Sequence, residues 1–99
     1  MSRMNDDLLN RRVVLPRGGI ELGRVVDVIL ELDAERPLGL DVLCGDGERR
    51  FLPMAAVGRL GSDIEVESSL TLLEPAELAF YRARGRSFRA GSSGTLADR

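Results

Sequence analysis

The chain has 99 residues, a formal net charge of -2 and one cysteine, enough for one small domain and too little for separate cofactor and substrate domains. Leu, Ile, Val and Phe supply 30 residues, so a packed core can form and the chain falls outside the disordered class. All 14 basic residues are Arg, with no Lys and no His; without His there is no side chain whose ordinary pKa lies near neutrality, no Ser-His or Cys-His pair and no imidazole metal ligand.

The first strand is expected after a flexible lead-in over residues 1–11: Val13, Val14 and Leu15 form a short apolar run closed by Pro16, and Gly18-Gly19 marks a turn. From Arg24 to Leu32, Val26, Val28, Leu30 and Leu32 share one parity against Val25, Asp27, Ile29 and Glu31. That alternation predicts a strand with one apolar face. After turn chemistry at Asp33 to Pro37, Leu38, Leu40, Val42 and Cys44 alternate with Gly39, Asp41 and Leu43, the second half of a hairpin. Gly45-Asp46-Gly47 predicts a tight connection into a returning strand over Arg49 to Pro53. Met54 to Leu60 reads as a helical turn or a bent strand, and further short strands are expected at Ile64 to Glu67 and Leu70 to Leu73.

The pattern changes at Glu74-Pro75. Pro in the first turn, Glu77 near the start, Arg82 and Arg84 near the end and Gly85 as a stop predict one helix over about 75–84. At roughly 100° per residue, Ala76, Ala79, Phe80 and Ala83 fall on one side of it and Leu78 and Tyr81 on the other. Two apolar sides call for two neighbours. Beyond it, residues 85–99 read as a flexible Arg/Gly/Ser tail. Residues 1–81 carry nine Arg against fifteen acids, a charge of -6, whereas residues 82–99 carry five Arg and one Asp, a charge of +4. The expectation is an acidic body with a basic arm.

Five or six short antiparallel strands with one C-terminal helix predict a mainly β fold, a small barrel or strongly curved sheet over residues 12–84. Gly19-Ile20-Glu21-Leu22-Gly23-Arg24-Val25-Val26-Asp27-Val28 resembles the opening of PRC-barrel domains, in which a Gly-x-x-Leu-Gly turn leads into a Val-x-Asp-Val strand. Leu38 to Val42 and Arg50-Phe51-Leu52-Pro53-Met54 follow in the same order, so the resemblance spans residues 12–73. It implies a small β-barrel that docks onto other proteins. Similar domains occur in the cytoplasmic part of the photosynthetic reaction-centre H subunit, in a ribosome maturation factor, and as stand-alone small proteins. Without a membrane helix or a preceding domain, the stand-alone type is expected here.

Asp27 and Glu31 read as solvated or turn-bonding carboxylates, and the Asp46-Glu48 and Asp63-Glu65-Glu67 groups as solvated turns lacking the calcium-loop pattern. Gly19, Gly23, Gly45 and Gly47 read as structural turns, because no phosphate-loop Lys-Ser/Thr follows them. Cys44 reads as an inert core residue that cannot form an intrachain disulfide, in keeping with a reducing cytoplasm. No catalytic, cofactor or metal residue is assigned, and the chain is expected not to be an enzyme. Apolar runs of at most four residues fall far below the ~20 of a spanning helix, so no membrane insertion is expected.

Two surfaces carry the functional expectation. Val25, Ile29 and Leu43 on the outer hairpin face, with Leu78 and Tyr81 of the helix, form the expected interaction surface: either the helix covers the patch, or the patch pairs two copies as a homodimer or takes another protein. Arg82, Arg84, Arg86 and Arg89, interleaved with Tyr81 and Phe88, form a possible anion or RNA contact. The leading reading is therefore a non-catalytic docking or scaffold module; the alternative is an accessory factor that touches RNA or a ribonucleoprotein.

Overall fold

A computed structural model of the chain describes residues 7–89. Among the described residues it is mainly β, with one helix described over its whole length. In chain order the strands are β1 (Arg12–Leu15), β2 (Ile20–Leu30), β3 (Pro37–Cys44), β4 (Arg49–Pro53), β5 (Arg59–Leu60) and β6 (Ile64–Glu65), followed by helix α1 (Pro75–Arg84) and strand β7 (Arg86–Ser87). The sheet runs β4-β3-β2-β1-β6-β5, and β7 pairs with β2. Among the described residues the two ends of that ladder do not pair, so the sheet is open where a closed barrel of five or six strands was expected. One pair also departs from the antiparallel expectation, since β1 runs parallel to β6. Leu70 to Leu73 contributes a 3-10 turn over Ser69–Thr71 and a single bridge from Leu73 to Phe51 in place of a strand.

β2 organises the molecule because its 11 residues are long enough to serve several neighbours. Its first half pairs with β1, its last two residues pair with β7, and β3 runs along the other side. Leu52 from the β4 end and Ile64 and Val66 from the β6 end meet Val25, Val28, Leu30, Leu40 and Val42 in one buried cluster. The sheet therefore curls around its core. Burial of such side chains contributes roughly 1.5–3 kcal/mol each.

Strict alternation fails at two places. Val25 faces Val42 and Asp27 faces Asp41, which leaves Val26 as an extra residue in β2. That β-bulge shifts the parity by one. Val25, expected on the outer face, is thereby fully buried in the core with Val28 and Leu30, while Asp27 and Ile29 face the other way. In β3, Ile29 faces Gly39 and Leu30 faces Pro37, so Leu38 is the extra residue and packs with Ile29 on the second face.

Both ends of the described chain belong to the fold where a flexible lead-in and tail were expected. Leu8 is buried in the core, the Asn10 amide donates to the Val25 carbonyl at 2.8 Å, and the Val25 amide donates to the Arg11 carbonyl at 2.9 Å. At the other end, β7 pairs Ser87 with Ile29 and Arg86 with Leu30. The remaining residues of the expected lead-in and tail, 1–6 and 90–99, lie outside the described ones.

Candidate functional site

The second face of the β2-β3-β4 sheet carries Asp27, Ile29, Gly39, Asp41 and Phe51, and α1 lies across it. Leu78, Tyr81 and Arg82 stand at i, i+3 and i+4, so one side of the helix delivers all three to the sheet. Leu78 packs with Ile29 and Phe51. The Tyr81 ring stacks on Phe51 with centroids 4.2 Å apart and planes 6° from parallel. Gly39 makes room for that ring: a Cβ there would lie 2.6 Å from the Leu52 carbonyl oxygen and closer still to Phe51.

Beside this apolar contact sit two buried acids. Asp27 is 3% exposed and Asp41 0%, directly opposite one another across β2 and β3. Like charges in that position repel, and buried carboxylates need partners. Arg82 supplies one guanidinium to both: its Nη1 donates to Asp41 Oδ2 at 2.8 Å and to Asp27 Oδ2 at 3.3 Å. From β4, Arg49 donates through Nε to Asp41 Oδ1 at 3.1 Å and through Nη2 to Asp41 Oδ2. This bond to Asp41 holds the Arg49 pKa above its ordinary value. Asp27 Oδ1 accepts from the backbone amides of Val28 at 2.8 Å and Arg89 at 2.9 Å, and the Ser87 hydroxyl donates to Asp27 Oδ2. Every carboxylate oxygen of the pair thus accepts at least one hydrogen bond. The cluster locks α1 and β7 onto the sheet, and Asp27, expected to be solvated, is among its most buried members.

The expected apolar patch is largely consumed by the same packing. Ile29 from the sheet and Leu78 from α1 are buried between the two, Tyr81 is half-buried on Phe51, and Val25 lies in the core, so none of these four forms an open interaction surface with Leu43. Leu43 alone of the five remains exposed. The basic arm is similarly committed. Arg82 belongs to the acid cluster, and Arg86 donates to the carbonyls of Glu31, Leu32 and Ala34 and to the Glu35 carboxylate. The Arg84 guanidinium lies 3.8 Å from the centre of the Phe80 ring, and Arg89 donates to the Val26 carbonyl. Of the four expected turn glycines, Gly19 and Gly47 have φ of 64° and 87° and need their freedom. Gly23 sits inside β2, where a Cβ would lie 2.5 Å from the Leu43 carbonyl oxygen, and Gly45 lies in the β3-β4 connection with open space around it.

What the molecule leaves uncovered is the far side of α1. Ala76, Ala79, Phe80 and Ala83 are all exposed there. At the N-terminal end of α1 this face runs into an open groove of about 740 Å³ with Leu22, Cys44, Leu70, Leu72 and Leu73 in its lining. Glu74 and Glu77 stand on its rim, and among the described residues neither carboxylate has an ion-pair partner. Partial burial pushes the Cys44 thiol above its ordinary value.

A family model described as PRC-barrel domain matches residues 5–71. The chain belongs to the PRC-barrel family. The match takes in β1 to β6, and therefore Asp27, Asp41 and Arg49, but ends before α1 and β7. In this PRC-barrel chain the residues that complete the buried cluster, Arg82, Ser87 and the Arg89 amide, come from beyond the matched span. No curated protein matches the chain. Sequence reasoning had Asp27 and Arg82 in view but missed that they meet, and it gave Asp41 and Arg49 no role. A signal was present: two acids at facing positions of an apolar hairpin, and an Arg four residues after Leu78 on the helix side that must face that hairpin.

Proposed function

We propose that this PRC-barrel domain is a non-catalytic protein-interaction module that docks through the outer face of α1 and the groove at its N-terminal end. The observation that carries the reading is the two-sided helix: Leu78, Tyr81 and Arg82 are used on the sheet, while Ala76, Ala79, Phe80 and Ala83 form a second, exposed apolar face on which the Phe80 ring meets Tyr81 edge-on and carries the Arg84 guanidinium of the same helix. Exposed contiguous apolar surface on a small domain is the usual mark of an interface. The acid pair supports the non-catalytic part, because carboxylates whose oxygens already hold guanidinium, hydroxyl and amide donors have no open position for a substrate proton. The cytoplasm is the compartment proposed, and no helix among the described residues is long and apolar enough to cross a membrane. An RNA-contacting arm has less support, since Arg82 and Arg86 are spent inside the molecule.

Site-specific photo-crosslinking in the native cell tests this. A photoreactive residue at position 80 should give a protein adduct, one at exposed Arg17 in the turn between β1 and β2 should not, and Ala79→Glu should suppress the adduct at 80. Equal labelling at both positions, or none at 80, would overturn the docking assignment.

A further inference from the structure

The outer face of α1 has a charge order that matches itself when reversed. Glu74 and Glu77 lie at its N-terminal end, Arg84 at its C-terminal end, and Phe80 stands between them with Ala76, Ala79 and Ala83 around it. Phe80 is 45% exposed and Leu70, at the acidic end, is 86% exposed. Among the described residues Arg84, like Glu74 and Glu77, makes no ion pair; its guanidinium rests on the Phe80 ring, which holds it on the same face. A helix turned end over end by a two-fold axis near Phe80 would set basic end against acidic end twice. Small residues flanking the aromatic ring would let the two backbones come close.

We infer that the occupant of this surface is a second copy of the chain, with the two α1 helices antiparallel, Phe80 near the two-fold axis and Arg84 of each copy beside Glu77 and Glu74 of the other. This rests on the docking reading and deepens it by naming the partner. The contact is isologous: one patch meets the same patch, as in most symmetric dimers. A ten-residue helix is only about 15 Å long, short of the roughly 800 Å² per partner of a standard interface. Leu70 and Leu73 lengthen the patch at its acidic end, where the C-terminal turn of the other helix arrives. The dimer is accordingly of the weak, transient class.

Sedimentation of the full chain from about 1 µM to about 300 µM, which brackets weak interfaces of this size, should show a monomer-dimer equilibrium. Glu77→Arg and Arg84→Glu should each weaken it roughly tenfold or more by setting like charges face to face, and the double variant should restore it. Phe80→Glu should abolish it with the far-UV circular dichroism unchanged, because that side chain is exposed; Ala83→Glu serves the same purpose if Phe80→Glu fails to fold. A monomer at the highest concentration, or a dimer indifferent to these changes, overturns the inference. The docking reading fails separately: adducts from position 80 to a different protein alongside a monomeric purified chain would reject the second copy while keeping the surface, and no adducts at all would reject both.

Discussion

Arg82 holds together two carboxylates that the sheet forces to face each other, and its removal leaves their repulsion without a bridge. Asp41 would retain Arg49, whereas Asp27 would keep only Ser87 and two amides. Breaking a fully buried pair costs ~3–5 kcal/mol. The Arg82 side chain is 38% exposed, so water screens part of that loss, and Arg82→Ala should destabilise the fold by roughly 2 kcal/mol in urea unfolding. Arg82→Lys should recover only part of it: both bonds leave one nitrogen, Nη1, which an ammonium can imitate, but an ammonium is more strongly hydrated and costs more to desolvate beside the buried acids. A change below about 0.5 kcal/mol, the range of an ordinary surface substitution, would mean that the bridge contributes little.

At the scale of elements, the exit from α1 depends on a glycine for space. Gly85 is extended, with φ of -127°, so it gains nothing from the left-handed region; a Cβ there would lie 2.5 Å from the Leu30 carbonyl oxygen and 3.0 Å from Ile29 Cγ2. Helix and β7 can approach β2 only because that atom is missing. Gly85→Ala should push β7 away from β2 and cost about 1–3 kcal/mol, and hydrogen exchange should show loss of protection at Ile29, Leu30 and Ser87 first. If exchange rises uniformly instead, β7 is not the element that gives way. The same region shows why alternation misled for β2. An inserted Val26 is invisible in a list of hydrophobic residues, yet it moves Val25 from the outer face to the core.

At the scale of the molecule, the family match and the folding unit differ. The matched span ends at Leu72's neighbour Thr71, but α1 covers Ile29 and Phe51 and its Arg82 neutralises the acids. A chain ending at residue 73 would expose that apolar face and leave Asp27 without Arg82, Ser87 and the Arg89 amide. It should bind a hydrophobic dye and lose its cooperative thermal transition, whereas the full chain melts as one unit. A sharp transition in the shortened chain would show that the sheet needs no cover. The open ladder fits this division, since a curled sheet packs a core on its inside and α1 shields the outside of β2, β3 and β4.

Much of the architecture was legible in the sequence because it depends on local chemistry. Turn glycines, the run from Val13 to Leu15, the alternating hairpin and the Pro75 to Gly85 helix signals place β1, β3, β4 and α1 close to where they lie. The order of those motifs also sufficed for the family. Three things required the tertiary structure: the bulges at Val26 and Leu38, the return of β7 onto β2, and the meeting of Asp27, Asp41, Arg49 and Arg82. Each joins or reorients residues through pairing between one element and another, which the pattern of a single segment does not contain. Periodicity reports which residues share a face of one element; which elements then face each other, and which charges must neutralise one another, is decided only when the chain closes on itself.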